Sequence, residues 1–277
     1  MTEVTVPPTV TVSIPYYGCL ATIRRAVTAV LAQTHTALRL VVVNDGDPLP
    51  PWPALADLAD PRLIRFDLPA NHGRYFCDAI ALAACDTPWW TVHDADDEAE
   101  PDWLATMLAT ARRHRADVVF TAQTKHTLDG TSVYAAVKRW DGTAVLRHHA
   151  HMAGLWRTDW LRLVGGPHPG YRIGYDTLLT AVAFAAGRVA VVERPLYHRH
   201  QRAGSLTQAP ATRSGSPERH RARTDLRAIW PTVLGAATDT GPAAAGRIVS
   251  RTVRPADRHD VTAEAQRLTD TITRDRS

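Results

Sequence analysis

Short continuous apolar runs alternate with segments of helical spacing along the first half of the chain. The apolar runs lie at residues 10–14, 38–43 and 89–93, with a shorter one at 63–66. Between them, apolar residues return every three or four positions, as in residues 20–32. Continuous apolar strands flanked by helices are typical of a parallel sheet covered on both faces. The pattern therefore predicts an α/β fold with an open, doubly wound, mostly parallel sheet flanked by helices.

The pattern is less regular in the second half. A helix is predicted at residues 101–114, where Pro101 suits a first helical position, and a strand at 117–121. A further strand is expected at 132–137. The long apolar segment at 175–186 predicts a helix, and residues 189–192 predict an edge strand.

The last part of the chain differs in composition. Ser, Pro and Gly concentrate at residues 209–217, and helical patterns follow at 218–234 and 261–274. Residues 209–277 contain 12 arginines and 8 acidic residues, whereas the remainder is balanced. We therefore expect a domain of residues 1–208 and an arginine-rich helical C-terminal extension, 209–277. It lacks the dense basic block of a nucleic-acid-binding segment, so no nucleic-acid partner is expected, while a peripheral membrane contact or a homodimer contact stays open.

Cysteine usage and hydropathy indicate the compartment. Cys19, Cys77 and Cys85 are odd in number and show no CxxC spacing, so neither a disulfide framework nor a zinc site is supported. No apolar stretch is long enough to span a bilayer, and the N-terminus lacks the pattern of a signal peptide. These features predict a cytoplasmic protein. His148, His149 and His151 have the spacing of a metal pair, but a surface loop explains them better.

A cluster of carboxylates follows the fourth predicted strand. Asp94, Asp96 and Asp97 stand in the segment HDADDEAEPDW. Carboxylates at this spacing repel one another unless a cation lies among them, and oxygen ligands suit Mg²⁺ or Mn²⁺. The alternative is a solvated acidic loop, in which Asp97 caps the next helix. Pro15 and Asp45 also follow predicted strands, so we expect all these residues at one edge of the sheet, where ligands bind.

Six motifs follow one another between residues 8 and 208. In order they read TVSIPYYGCLATIRRAVTAVLAQTH, LVVVNDG, NHGRYFCDAIALA, DADDEAEPDWL, LVGGPHPGYRIGYDTLL and LYHRHQRAGSLT. Together they resemble the motifs of family 2 glycosyltransferases. The resemblance implies a GT-A fold, in which about residues 1–122 bind a nucleotide-sugar and 123–208 bind the acceptor. It also implies an inverting enzyme that transfers a sugar from a nucleotide diphosphate donor, a UDP- or dTDP-sugar. The Gln-x-x-Arg-Trp motif and the membrane helices of processive members are missing, which favours a single addition.

The resemblance assigns roles to individual residues. The expected nucleotide-sugar-binding residues are Pro15, Tyr17, Asp45, Asn71, Arg74 and Asp94. Asp96 and His200 are expected to ligate Mn²⁺ or Mg²⁺, with His198 as an alternative ligand. Asp176 matches the general base that takes the proton of the acceptor hydroxyl. The acceptor itself, a small molecule, a glycan or a lipid headgroup, is left open.

Several departures and alternatives remain. Asn44 stands where the family has an acid, Asp47 where a serine is common, and Tyr175 where a glutamate is usual. They leave open a catalytically degenerate module that binds a nucleotide or a partner protein. Asp176 has a capping role as its alternative, and Arg74 a solvated one. A nucleotidyltransferase is disfavoured because the Gly-rich segment that cradles a triphosphate is absent from the first strand's end.

Overall fold

The computed structural model describes residues 10–135 and 152–274, which form an alternating series of strands and helices. The strands are β1 (Val10–Tyr16), β2 (Leu38–Asn44), β3 (Leu63–Asp67), β4 (Trp89–Val92), β5 (Glu98–Ala99), β6 (Val118–Thr127), β7 (Gly130–Tyr134), β8 (Leu155–Arg157) and β9 (Val189–His200). The helices are α1 (Ile23–Leu31), α2 (Arg74–Ala83), α3 (Trp103–His114), α4 (Thr158–Leu163), α5 (Tyr175–Ala186), α6 (Pro217–Asp239), α7 (Pro242–Thr252) and α8 (Pro255–Arg274). The alternation confirms the predicted α/β class.

All nine strands belong to one mixed sheet with the order β3-β2-β1-β4-β8-β6-β9-β5, and β7 pairs with β6. Strands β1 to β4 are parallel, and the apolar run of β2 is buried along its whole length. Leu40 and Val42 pack with α1 and α3 on one face, while Val41 and Val43 pack with α2 on the other. The sheet is therefore covered on both faces, as continuous apolar strands predict.

The edge strand predicted at residues 189–192 is wrong. Strand β9 lies between β6 and β5 and continues to His200. Pro195 lacks a backbone N–H and therefore indicated the end of the strand. The ladder instead becomes irregular there, so that Pro195 pairs with Ala122 and Tyr197 pairs with Gln123. The longer strand carries His198 and His200 to the acidic segment around β5.

Other boundaries also differ. The helix predicted from Pro101 begins at Trp103, and the strand predicted at 132–137 is β7, which ends at Tyr134. Ala135 is outside the strand, and residues 136–137, together with His148, His149 and His151, lie outside the described residues. Helix α7 was not predicted, because an alanine-rich segment with Gly246 near its middle has a weak apolar period.

The three C-terminal helices pack onto the domain rather than forming a separate core. Helix α6 contacts α5, α7 contacts α4, and α8 contacts α2 and β3. Leu268 and Ile272 of α8 are buried with Phe76 of α2. His168 joins the segment before α5 to α7, because its Nε2 lies 2.9 Å from Thr252 Oγ1. Within residues 10–135 and 152–274, no helix combines the length and apolar content needed to cross a membrane.

Helix α7 packs against the end of α4 at a glycine. A Cβ built on Gly246 would lie 2.0 Å from the backbone oxygen of Leu163, a distance that no side chain can occupy. Gly235 of α6 is also helical, but a Cβ there meets nothing within 4 Å. Both glycines therefore lie within helices, but only Gly246 packs against a neighbouring backbone.

We expect Gly246→Ala to lower the free energy of unfolding by about 1–3 kcal/mol, because the methyl group forces α7 away from α4. Gly235→Ala is the matched control. It should raise the free energy of unfolding by up to about 1 kcal/mol, since alanine favours a helix over glycine. Urea unfolding followed by circular dichroism measures both. Stabilisation by both substitutions would contradict the close packing of α7.

Candidate active site

A cavity of about 940 Å³ opens at the carboxyl ends of β1, β2 and β4 and extends to α5, the end of β9 and α6. All nine residues that the sequence nominated for a site line it: Pro15, Tyr17, Asp45, Asn71, Arg74, Asp94, Asp96, Asp176 and His200. These residues come from segments far apart in the chain. The fold thus brings these nine side chains to one place, whereas His198, the alternative metal ligand, is not among the lining residues. The role of each residue stays a prediction.

Asp45 holds the turn that leads into α2. Its carboxylate accepts hydrogen bonds from the backbone N–H groups of His72 and Gly73, each at 2.8 Å. Burial raises the pKa of Asp45, and the two hydrogen bonds act in the opposite direction. The side chain is 3% exposed. Each carboxylate oxygen can accept a second hydrogen bond, so the bonds to the turn leave room for one from the imide N–H of a base. That contact stays a prediction.

The amide at position 44 is explained by a neighbour on β3. Asn44 Nδ2 donates to Asp67 Oδ1 at 2.7 Å, and Trp52 Nε1 donates to the other oxygen of that carboxylate at 2.8 Å. Asn44 Oδ1 in turn accepts the N–H of Asp47 at 3.0 Å. An acid at position 44 would face the carboxylate of Asp67. The departure from the family motif therefore has a local structural cause, and it does not by itself indicate a degenerate site.

Arg74 lies between two carboxylates. Its Nη2 is 3.0 Å from Asp94 Oδ1, and its Nε is 3.8 Å from Asp78 Oδ2. The side chain is 21% exposed, so the alternative of a solvated Arg74 is wrong. Asp78 is fully buried, accepts a hydrogen bond from Ser13 at 3.1 Å, and has its pKa raised by burial to about 7. Asp78 was not nominated from the sequence, although an acid on the apolar side of a helix was an available signal.

Asp96 is paired with a cation from the segment after β9. Arg202 Nε lies 2.7 Å from Asp96 Oδ2, and Arg202 Nη2 lies 2.7 Å from Cys19 Sγ. Burial and then the charge of Asp94 raise the pKa of Asp96, and Arg202 partly offsets them. Arg202 was not singled out from the sequence, although it lies in the last of the six motifs.

Asp97 does not cap the following helix, and that alternative is wrong. Its Oδ1 accepts the backbone N–H of His200 at 2.8 Å, and the residue that precedes α3 is Asp102. Burial, followed by the charges of Asp94 and Asp96, raises the pKa of Asp97 well above its usual range. Asp97 therefore ties the acidic segment to the end of β9.

The two candidate histidine ligands are held by other partners. His200 Nε2 lies 2.9 Å from Glu98 Oε1, and its ring stacks on His126 with 4.6 Å between centroids. His198 Nε2 lies 2.8 Å from Glu100 Oε1. In the part of the chain that the structure describes, no group of three or more His, Cys, Asp or Glu residues is arranged to hold a metal ion. Metal binding by Asp96 and His200 stays a prediction.

Asp176 lies in the first turn of α5, directly after Tyr175. The hydroxyl of Tyr75 donates to Asp176 Oδ1 at 3.0 Å and accepts the backbone N–H of Asp176 at 3.1 Å. Burial and the charge of Asp176 raise the pKa of Tyr75, so the phenol stays protonated and remains a donor. The same Asp176 oxygen accepts the N–H of Thr177 at 3.0 Å, but the N-cap of α5 is Gly174, so the capping alternative for Asp176 is wrong. Tyr175 is fully buried and therefore offers no substitute for the family's glutamate.

Comparison with known proteins places the chain in a family. The profile of Glycosyl transferase family 2 matches residues 11–200. The chain belongs to glycosyl transferase family 2. No curated protein matches it. The matched residues 11–200 include all nine nominated site residues. Eight of them lie in the first five of the six motifs, and His200 is the last matched residue.

Solved structures of S. aureus TarS share the fold. The crystal structure of its residues 1–349 in complex with UDP-GlcNAc is similar with a TM-score of 0.64 and 18% identity, covering 71% of this chain and 60% of that one. The chain thus spans less than two thirds of that structure. The complex of residues 1–349 with UDP gives a TM-score of 0.61 and 16% identity, covering 95% and 90%. At such identities the likeness shows the fold alone, and it confirms the GT-A prediction.

Restoring the acid that the family 2 motif has at position 44 should damage this protein. We expect Asn44→Asp to lower the free energy of unfolding by about 1–3 kcal/mol, because it removes the donor to Asp67 and sets two carboxylates together. The exchanged pair Asn44→Asp with Asp67→Asn should recover most of the loss. Thermal unfolding of the two single variants and the double variant gives the coupling free energy. Additive losses would contradict the pairing.

Proposed function

We propose that the protein is an inverting, non-processive glycosyltransferase that moves one sugar from a UDP- or dTDP-sugar to an acceptor hydroxyl. The observation that carries the proposal is that the aspartate cluster and Asp176 line one cavity of a family 2 fold. The TarS structures with UDP-GlcNAc and UDP support a uridine nucleotide as donor. In this proposal residues 1–122 bind the donor, 123–208 bind the acceptor, and the 209–277 extension contributes α6 to the cavity.

The donor would lie along the carboxyl ends of β1, β2 and β4. Tyr17 is 50% exposed at the end of β1 and offers its ring for stacking on the base, next to Pro15. Asn71 lines the same end of the cavity, where Arg172 fixes its side chain through a 2.5 Å hydrogen bond. Asp94 would contact the ribose, with Arg74 positioned against it.

Asp96 and His200 are the proposed ligands of a hard divalent cation. Asp96 would supply a carboxylate oxygen, which suits Mg²⁺ or Mn²⁺, and His200 an imidazole nitrogen. Burial and the charge of Asp94 raise the pKa of Asp96, and a cation beside this carboxylate would offset both effects. On binding a cation, Asp96 would exchange its pairing with Arg202, and His200 its contact with Glu98. A bound Mn²⁺ or Mg²⁺ would neutralise the charge that grows on the departing nucleoside diphosphate.

Asp176 is the proposed general base. Its carboxylate would take the proton of the acceptor hydroxyl while that oxygen attacks the anomeric carbon from the face opposite the nucleoside diphosphate. The bond to the diphosphate breaks as the new glycosidic bond forms, which inverts the anomeric configuration. Tyr75 acts as a positioning residue, because its hydroxyl holds both the carboxylate and the backbone of Asp176.

Donor class and metal dependence are tested by calorimetric titration with UDP, dTDP, GDP and ADP, each with Mn²⁺ and with EDTA. We expect UDP or dTDP to bind with Mn²⁺ and to lose at least about tenfold in affinity with EDTA or in Asp96→Ala, because the diphosphate charge is then uncompensated. Asp159→Ala is the control, since this carboxylate is 75% exposed outside the cavity. Failure of all four nucleotides to bind would count against the proposal.

The base assignment is tested with Asp176→Asn. We expect donor turnover to fall by on the order of 100-fold or more, since general-base catalysis contributes about that much. UDP affinity should stay within about twofold. Tyr75→Phe should lower turnover less and leave UDP affinity unchanged. Release of UDP from UDP-sugars is the measurement. Donor binding by the natural protein without turnover, with no effect of Asp176→Asn, would favour the degenerate nucleotide-binding module.

A further inference from the structure

Arg172 contacts the turn before α2 with both its stem and its guanidinium. It lies in the segment that leads into α5 and lines the cavity. Its Nη1 donates to Asn71 Oδ1 at 2.5 Å, and its Nη2 donates to the backbone oxygen of Asn71 at 2.9 Å. A Cβ built on Gly73 would lie 3.2 Å from Arg172 Cγ, so the stem of the arginine passes over this glycine. The guanidinium fork therefore spans the side chain and the main chain of Asn71, which a single ammonium group cannot reproduce.

The fork fixes which way the Asn71 carboxamide faces. A guanidinium has donors and no acceptor, so it pairs with the oxygen of an amide and not with its nitrogen. A half-turn of the carboxamide would set Nδ2 against Nη1 of Arg172, donor against donor, at the cost of the hydrogen bond. Since Asn71 lines the cavity, the fixed amide offers Nδ2 as a donor on the side away from Arg172.

The carboxylate of Asp45 belongs to the same corner of the cavity. It holds the next two residues of the turn, through the N–H groups of His72 and Gly73 at 2.8 Å each. The loop after β2 also touches Asn71, since a Cβ built on Gly46 would lie 2.8 Å from the backbone nitrogen of Asn71. This corner of the cavity therefore combines acceptor oxygens on Asp45 with an oriented donor on Asn71.

An acceptor beside a donor matches one kind of base edge. Uracil and thymine present an imide N–H next to a carbonyl oxygen, which is a donor beside an acceptor. Cytosine reverses both groups, because its N3 is an acceptor and an exocyclic amine replaces the O4 carbonyl. A cytosine in the same position would set acceptor against acceptor and donor against donor, and it would leave desolvated polar groups unpaired.

We propose that Arg172 is a positioning residue for recognition of the donor base. It holds the Asn71 carboxamide so that Nδ2 donates to a carbonyl oxygen of the base, while Asp45 accepts the imide N–H. Arg172 thereby contributes to the selection of a uracil or thymine nucleotide over a cytosine nucleotide. The inference rests on the proposed function, which supplies the nucleotide.

The test compares the affinities of the full chain for UDP and CDP, each with Mn²⁺, by calorimetric titration. We expect the natural protein to bind UDP at least about 100-fold more tightly than CDP, because cytosine mispairs two contacts at about tenfold each. In Arg172→Ala the amide is free to rotate, so the ratio of the two affinities should fall about tenfold, while Asp45 maintains the remainder. Arg172→Lys, which retains the charge and loses the fork, should lower the ratio as well.

Asn71→Ala shows whether Arg172 acts through Asn71. We expect the affinity ratio to fall about tenfold in Asn71→Ala and no further in the double variant Asn71→Ala with Arg172→Ala. Arg221→Ala is the control, since it removes the same charge from an exposed position outside the cavity and should leave the ratio unchanged. An arginine that met the diphosphate instead would give Arg172→Ala equal losses of UDP and CDP affinity, and this result would overturn the inference.

Equal affinities of the natural protein for UDP and CDP, or independent effects of Asn71→Ala and Arg172→Ala on the ratio, would also overturn the inference. The same titrations separate it from the proposed function. If the natural protein binds neither nucleotide, the proposed function and the inference both fail. If the natural protein prefers UDP and Arg172→Ala retains the full preference, the inference alone fails.

Discussion

Mutual repulsion among the carboxylates that follow β4 is the constraint around which the site is organised. Asp94, Asp96 and Asp97 occupy neighbouring positions at the end of a buried parallel strand, where low exposure strengthens their repulsion. Arg74 lies against Asp94, and Arg202 lies against Asp96. Without these two cations the segment would carry uncompensated negative charge in a partly buried place, a state that folded proteins avoid.

The two arginines come from different parts of the fold. Arg74 begins α2, which packs on the parallel strands, and Arg202 follows β9, which lies in the mixed part of the sheet. The acidic segment therefore links these two parts electrostatically, and the hydrogen bond from the backbone of His200 to Asp97 adds a third link.

The C-terminal helices contribute differently to the surface of the domain and to the lining of the cavity. Helices α7 and α8 cover apolar surface of the domain, while α6 forms a wall beside α5 and supplies arginines instead of carboxylates. The lining therefore includes five aspartates from the parallel strands, the segment after β4 and α5, and three arginines from α6.

Local patterns in the sequence determined the strand and helix alternation, the buried parallel strands and the nomination of nine of the residues that line the cavity. These depend on neighbours in the chain: apolar period, turn residues and short motifs. The long course of β9 was missed because Pro195 is locally a strand breaker and only pairing with Ala122 accommodates it. Asp67 opposite Asn44, Tyr75 on Asp176 and Arg202 on Asp96 were decided by the tertiary structure. Each pair joins residues distant in sequence, and a hydrogen bond or ion pair between them exists only once packing sets the distance.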